Sequence, residues 1–130
     1  MRRRHFIAAG LAASYAGAAF AAPATVLVVG DSLSAEYGLQ RGSGWVALME
    51  RRIAADKVDA RVVNASISGD TTSGGRSRLP ALLSQHKPTH VVVELGANDA
   101  LRGLPLEMTQ ANLSAMVQAA QKAGARVLLV

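Results

Sequence analysis

Apolar residues come in short runs along this chain, and each run stops at a polar, glycine-bearing stretch. Val26-Leu27-Val28-Val29 is the first such run. Four apolar residues, three of them β-branched, predict a buried strand over Thr25–Val29. Ala60–Ala65 and His90–Leu95 repeat the form with valines at their centres, and Ala125–Val130 opens a fourth strand. Between the strands the period lengthens. Trp45, Leu48, Met49 and Ile53 fall at i, i+3, i+4 and i+8, which predicts a helix over Trp45–Ala55 with Arg51 and Arg52 in solvent. A short helix is expected from about Arg76 to Gln85. Pro80 then belongs in its first turn, where a missing N–H does no harm, and Pro88 closes it. The longest helix is expected over Glu107–Ala123, with Leu113, Met116, Val117 and Ala120 on its apolar face and Gly124 at C′. The polar stretches Gly30–Gly44, Ser66–Gly75 and Gly96–Pro105 are expected as loops. The order βαβαβαβ implies an α/β fold, a parallel sheet with helices on both faces.

The 130 residues fit one domain, and no linker divides residues 22–130. Half the residues are hydrophobic but only 4% are aromatic, so the core must be aliphatic. The absence of cysteine excludes disulfides, thiolate metal sites and a cysteine nucleophile. Of 14 basic residues, Arg2, Arg3 and Arg4 lie in the first few positions; the other 11 stand against 9 acidic residues, so the net charge of +5 falls to +2 without them. The remaining charges form no basic stripe, which argues against nucleic acid as a partner.

Residues 1–21 have the pattern of a signal peptide. The arginines make a positive n-region, Phe6 to Phe20 an apolar h-region, and Ala19-Phe20-Ala21 an A-x-A cleavage site. The h-region has about 15 residues, short of the roughly 20 a spanning helix needs, so no membrane anchor is expected after cleavage. Arg3-Arg4-His5-Phe6-Ile7 also resembles a twin-arginine signal, leaving the general secretory and twin-arginine routes both open. Either route makes the mature protein periplasmic or secreted.

In a parallel sheet all strand-to-helix loops share one edge, the edge where open α/β sheets bind their ligands. Three loops therefore converge: Gly30-Asp31-Ser32-Leu33-Ser34, Ser66-Ile67-Ser68-Gly69-Asp70-Thr71-Thr72, and Gly96-Ala97-Asn98-Asp99. Acyl transfer needs a nucleophile and donors aimed at the developing oxyanion. Ser32 can be the first. The N–H groups of Ser32 and Gly69 and the Asn98 amide can be the second. Asp31, Asp70 and Asp99 reach the same edge and suggest a different chemistry, Mg²⁺-dependent phosphoryl transfer. Against that, turn carboxylates commonly bond local backbone. A third reading is a non-catalytic module that holds an acyl chain or glycan. No Gly-x-Gly-x-x-Gly follows the first strand, so dinucleotide binding has no support.

These blocks resemble the SGNH/GDSL hydrolase superfamily. Gly30-Asp31-Ser32-Leu33-Ser34-Ala35, Asn64-Ala65-Ser66-Ile67-Ser68-Gly69-Asp70-Thr71 and Glu94-Leu95-Gly96-Ala97-Asn98-Asp99, followed by Leu101-Arg102-Gly103, are similar to its bacterial periplasmic thioesterase I/lysophospholipase/arylesterase branch. The likeness runs over residues 25–130. It implies a flavodoxin-like three-layer α/β/α fold with a five-stranded sheet in the order 2-1-3-4-5. It also implies Ser32 as nucleophile, an oxyanion hole of Ser32, Gly69 and Asn98, loop-orienting roles for Asp31 and Asp99, acyl esters or thioesters as substrates, and no cofactor. Trp45, Leu39, Leu101, Leu104 and Leu106 are candidates for an acyl groove.

The family's base is a histidine preceded three residues earlier by its aspartate, and no Asp-x-x-His occurs here. His5 falls in the signal. His86 and His90 fall at the amino ends of the strands; five residues at about 3.3 Å each place His90 roughly 16 Å from the crevice. A base must come within about 3 Å of its proton, or reach it through one water. The apolar strand Arg126-Val127-Leu128-Leu129-Val130 is also left without a neighbour, an edge open to self-association. The expectation is a hydrolase domain incomplete at its C-terminal side, holding the first four strands. Residues 22–130 by themselves should then turn over acyl esters only weakly; robust hydrolysis by that segment, lost on Ser32→Ala, would overturn this.

Overall fold

The computed structural model describes residues 22–130. The proposed signal peptide lies outside them. Four parallel strands, β1 (Ala24–Gly30), β2 (Ala60–Asn64), β3 (His90–Glu94) and β4 (Arg126–Leu129), form one sheet in the order β2-β1-β3-β4. The helices are α1 (Trp45–Ala55), α2 (Thr72–His86), α3 (Ala97–Leu101) and α4 (Leu106–Lys122). Among the described residues no helix is long and apolar enough to cross a membrane.

The valine runs explain the layers. Side chains alternate across a strand, so each run feeds both faces. Leu27, Val29, Val91 and Val93 point to one side, where Leu79 and Leu83 of α2 and Met116 and Ala120 of α4 bury them. Val28 and Val92 point to the other, against Val46, with Trp45 and Met49 of α1 beside them. This is the three-layer α/β/α arrangement, with the strand order expected for its first four strands. β4 lies at the sheet edge, and Leu128, Leu129 and Val130 are exposed.

Four expectations need correction. The second helix starts at Thr72, not near Arg76, so Pro80 sits in its interior rather than its first turn. Pro80 removes the bond that its N–H would give to Arg76. The helix persists because Leu79 and Leu83 are buried on the sheet and because Thr71 caps it, its hydroxyl accepting from Gly74 N–H at 3.3 Å. Second, Gly74-Gly75 is helix, not loop. A Cβ on Gly75 would strike Leu95 Cδ1 and stand 3.2 Å from Met116 Sδ, so glycine lets α2 lie close to the sheet and to α4. Third, the loop after β3 contains α3. Fourth, α1 buries Val46 while Leu48 is exposed, because a helix on one flank of a narrow sheet faces it with one side only. Gly124 does hold C′, with φ +86°, and the N–H groups of Gly124 and Ala125 return to the carbonyls of Gln121 and Ala120 as in a Schellman ending.

Gly75→Ala should therefore destabilise the protein by about 1–3 kcal/mol, the usual cost of overpacking. Chemical denaturation reads this directly, and an unchanged midpoint would contradict the close packing of α2.

Candidate active site

β1 ends at Gly30, and the chain turns at once. The Asp31 carbonyl accepts from Ser34 N–H at 3.2 Å and from Ala35 N–H at 2.9 Å, which closes one helical turn around Ser32. Asp31 and Ser34 are buried, Ser32 is half-buried and Leu33 is exposed, so the turn presents Ser32 at the carboxyl edge of the sheet. Asp31 Oδ1 accepts from Leu33 N–H at 3.0 Å. Asn64, ending β2, donates its amide to the Ser34 carbonyl at 2.8 Å.

The loop after β2 makes a second turn. Asp70 N–H reaches the Ile67 carbonyl at 3.1 Å, and Gly69 takes φ +81°. Positive φ at the third position is the type II requirement, which is why glycine stands there. Asp70 pairs with Arg78 Nε at 2.8 Å, and Arg78 also donates to the Ala65 carbonyl, tying α2 to the end of β2.

α3 grips this second turn. Asn98 Nδ2 donates to the Asp70 carbonyl at 2.9 Å, and Arg102, one helical turn on, donates to the Gly69 carbonyl at 2.9 Å. A further Asn98 Nδ2 contact, to Asp31 Oδ2, is long at 3.3 Å. Ser32, Gly69 and Asn98 thus line one open cleft of about 340 Å³, together with Tyr37 and Ser68. Neither Ser32 N–H nor Gly69 N–H donates to another protein group among the described residues. The residues lining the cleft therefore carry a hydroxyl, two backbone N–H groups without a protein acceptor among the described residues, and an amide whose second N–H has only a long contact. A larger groove of about 620 Å³ runs along α4 and Leu129 but contains none of these groups.

The aspartates are separated by their partners. Asp99 is buried and accepts three bonds: Thr72 N–H at 2.8 Å, Thr72 Oγ1 at 2.5 Å and Thr109 Oγ1 at 2.8 Å. Burial opposes its charge, but these donors outweigh burial and hold its carboxyl below the usual aspartate range. Asn112 extends the network, donating to Thr72 Oγ1 at 3.1 Å and accepting from Arg76 at 3.2 Å. Asp31, Asp70 and Asp99 thus serve the first turn, Arg78 and the start of α2 respectively. Among the described residues no group of three His, Cys, Asp or Glu could hold a metal ion. This overturns the reading of these three carboxylates as one Mg²⁺ site.

His86 ends α2 and His90 opens β3, at the amino edge of the sheet, away from Ser32. Among the acyl-groove candidates, Trp45 packs on the α1 side of the sheet and Leu106 lines the distant groove, so neither borders the cleft. Leu39 and Leu101 are exposed. Sequence reasoning missed Tyr37, Ser68, Ser34 and Glu94. Ser34 Oγ donates to Glu94 Oε1 at 2.6 Å and accepts from Trp45 Nε1 at 3.0 Å. Both Ser34 and Glu94 lie inside the recognised sequence blocks, but nothing in local spacing pairs residues 60 positions apart.

With the geometry in place, the comparisons are specific. A family model described as the GDSL-like lipase/acylhydrolase family matches residues 28–130, and the chain belongs to that family. It is 57% identical over 110 residues to a protein named esterase TesA from Pseudomonas aeruginosa, covering 85% of this chain and 55% of that protein. It is 47% identical over 112 residues to thioesterase 1/protease 1/lysophospholipase L1 of Escherichia coli, covering 85% of this chain and 51% of that protein. A crystal structure of TesA superposes with TM-score 0.80 at 58% identity, covering 81% of this chain and 58% of that one. The chain spans about half the length of the curated relatives it matches.

Because Asp99 is held ionised, its contribution to stability is fully present above about pH 4 and is lost as pH falls through its lowered value. Asp99→Asn should cost about 1–3 kcal/mol at neutral pH, since it strands buried donors. The gap to the wild type should close in acid; a gap independent of pH would show that the charge is not what Thr72 and Thr109 recognise.

Proposed function

We propose that this protein is a serine hydrolase of acyl esters and thioesters, with Ser32 as nucleophile. The observation that carries the reading is the convergence of Ser32, Gly69 and Asn98 on one cleft, with the N–H groups of Ser32 and Gly69 making no hydrogen bond among the described residues. Ser32 Oγ attacks the carbonyl carbon and passes its proton to a base. The carbonyl oxygen becomes an oxyanion, which the three donors receive. Collapse expels the alcohol or thiol, which takes up the proton, and leaves the acyl group on Ser32. Water then repeats the cycle and releases the acid. Neither histidine of residues 22–130 is placed to be that base, because both lie at the other end of the sheet. The names esterase and thioesterase among the relatives support the substrate class. The signal-like residues 1–21 support export to the periplasm or beyond.

The test uses the protein at its natural length, isolated from its own source, with p-nitrophenyl acyl esters and acyl thioesters. Ser32→Ala should reduce hydrolysis to background. Asn98→Ala should lower kcat by about 10²–10³-fold, the usual cost of one oxyanion donor, with little change in KM. Tight acyl binding without turnover would replace the enzyme by a binding module, and hydrolysis that survives Ser32→Ala would move the nucleophile elsewhere.

A further inference from the structure

Beneath the Ser32 turn lies a partly buried polar relay that the proposed chemistry leaves unused. Glu94 is the last residue of β3, and register sets it directly beside Gly30, the last residue of β1. From there its carboxylate accepts from Ser34 Oγ at 2.6 Å, and the Trp45 indole N–H donates to the same hydroxyl at 3.0 Å. Space for this arrangement exists only because residue 30 is glycine. A Cβ there would stand 2.6 Å from Ser34 Oγ and 2.9 Å from Glu94 Oε1. Asp31 directly follows Gly30, and its two carboxylate oxygens hold Leu33 N–H and contact Asn98. Of the buried residues on either side of Ser32, Ser34 is therefore hydrogen-bonded to one side chain from the neighbouring strand, and the charge of Asp31 acts on that same side chain.

We infer that Glu94 is the positioning residue for the nucleophile turn, acting through Ser34 and Asp31 to fix where Ser32 stands against Gly69 and Asn98. The inference rests on the serine-hydrolase reading. Glu94 touches neither Ser32 Oγ nor the cleft, so it acts only through other groups. Burial pushes its carboxyl above the usual glutamate range; the Ser34 hydroxyl opposes this, and the Asp31 charge adds to it. Asp31 is the charged group that faces it, whereas Ser34 and Trp45 are neutral. A proton on Glu94 relieves its repulsion with Asp31 and leaves Oε1 free to accept from Ser34. Loss of that proton sets two like charges against the base of the turn. A glutamine has the shape and hydrogen-bonding pattern of the protonated form, which separates this role from simple packing.

The experiment uses the natural-length protein and two variants. Glu94→Ala should lower kcat by about 10²-fold, the scale expected when a reacting group is misplaced by a fraction of its reach, with KM little changed. Glu94→Gln should recover most of that loss. In ¹⁵N NMR spectra, the Ser32 amide and the Trp45 indole N–H (assigned by Trp45→Phe) should titrate together above the ordinary glutamate range in the wild type. That shared titration should be absent in Glu94→Gln. Hydrolysis that persists in Ser32→Ala counts against the hydrolase reading, not against this one. Ser32-dependent hydrolysis unaffected by Glu94→Ala would overturn the inference alone. If Glu94→Ala does not fold or no hydrolysis is found, the spectra decide: resonances that do not titrate, or titrate equally in Glu94→Gln, overturn it.

Discussion

The buried carboxylate of Asp99 is where the site and the fold meet. It gathers donors from the first residue of α2 and from α4, and it belongs to α3. One charged group, shielded from water and holding three hydrogen bonds, binds three separate elements where apolar packing alone would leave them free to slide. Hydrogen bonds to charge are the stronger kind, and their directionality is what fixes a short helix. α3 has only five residues, far too few to be stable by itself. Its orientation must come from outside, and Asp99 supplies it. Asn98 precedes Asp99, and Arg102 follows one turn after Asn98, so the same anchor decides where both touch the Gly69 turn.

The opposite wall is fixed by a different device. The Ser32 turn receives Asn64 from β2 and Glu94 from β3, one from each strand that flanks β1. A turn at the end of a central strand is well placed for this, because a strand ends close by on each side, Glu94 beside Gly30 and Asn64 beside Val28. Ser32, the proposed nucleophile, and the donors around it are thus carried by strand ends and a clamped helix. Rigid elements hold a constellation more closely than a free loop does. Backbone donors left unpaired at such a site are ready for an oxyanion without reorganisation, which is the condition under which they act most strongly.

The sheet was plain in the sequence because its cause is local. Runs such as Val91-Val92-Val93 suit only a strand buried on both sides, and alternation with helices leaves little choice of topology. The three polar blocks were equally plain, since parallel strands send their following loops to one edge. What escaped notice was non-local. Glycines at 74 and 75 looked like a loop because their reason for being glycine lies on Leu95, Met116 and Asp70, not in their own segment. Asn112 sits on the expected apolar face of α4, and only the Thr72 hydroxyl across the interface explains its burial. The metal reading failed for the same reason. Three aspartates at one edge share a location, but each had a separate partner that the sequence does not reveal.

The two halves of the proposed reaction also separate in the fold. The hydrogen bonds made directly by Ser32, Gly69 and the Asn98 amide go to the loops after β1 and β2 and to Arg102 at the end of α3. None goes to β4. The donor side of the site is therefore built on the segments that follow β1, β2 and β3. His86 and His90 sit where α2 leads into β3, at the edge opposite the loops that carry Ser32, Gly69 and Asn98. A base for Ser32 has to arrive at the carboxyl edge. The Ser32 turn at that edge is already fixed by Asn64, Ser34 and Glu94. Assembling the proposed oxyanion donors and delivering a proton acceptor are in this way separate structural problems, and the Ser32, Gly69 and Asn98 loops address the first.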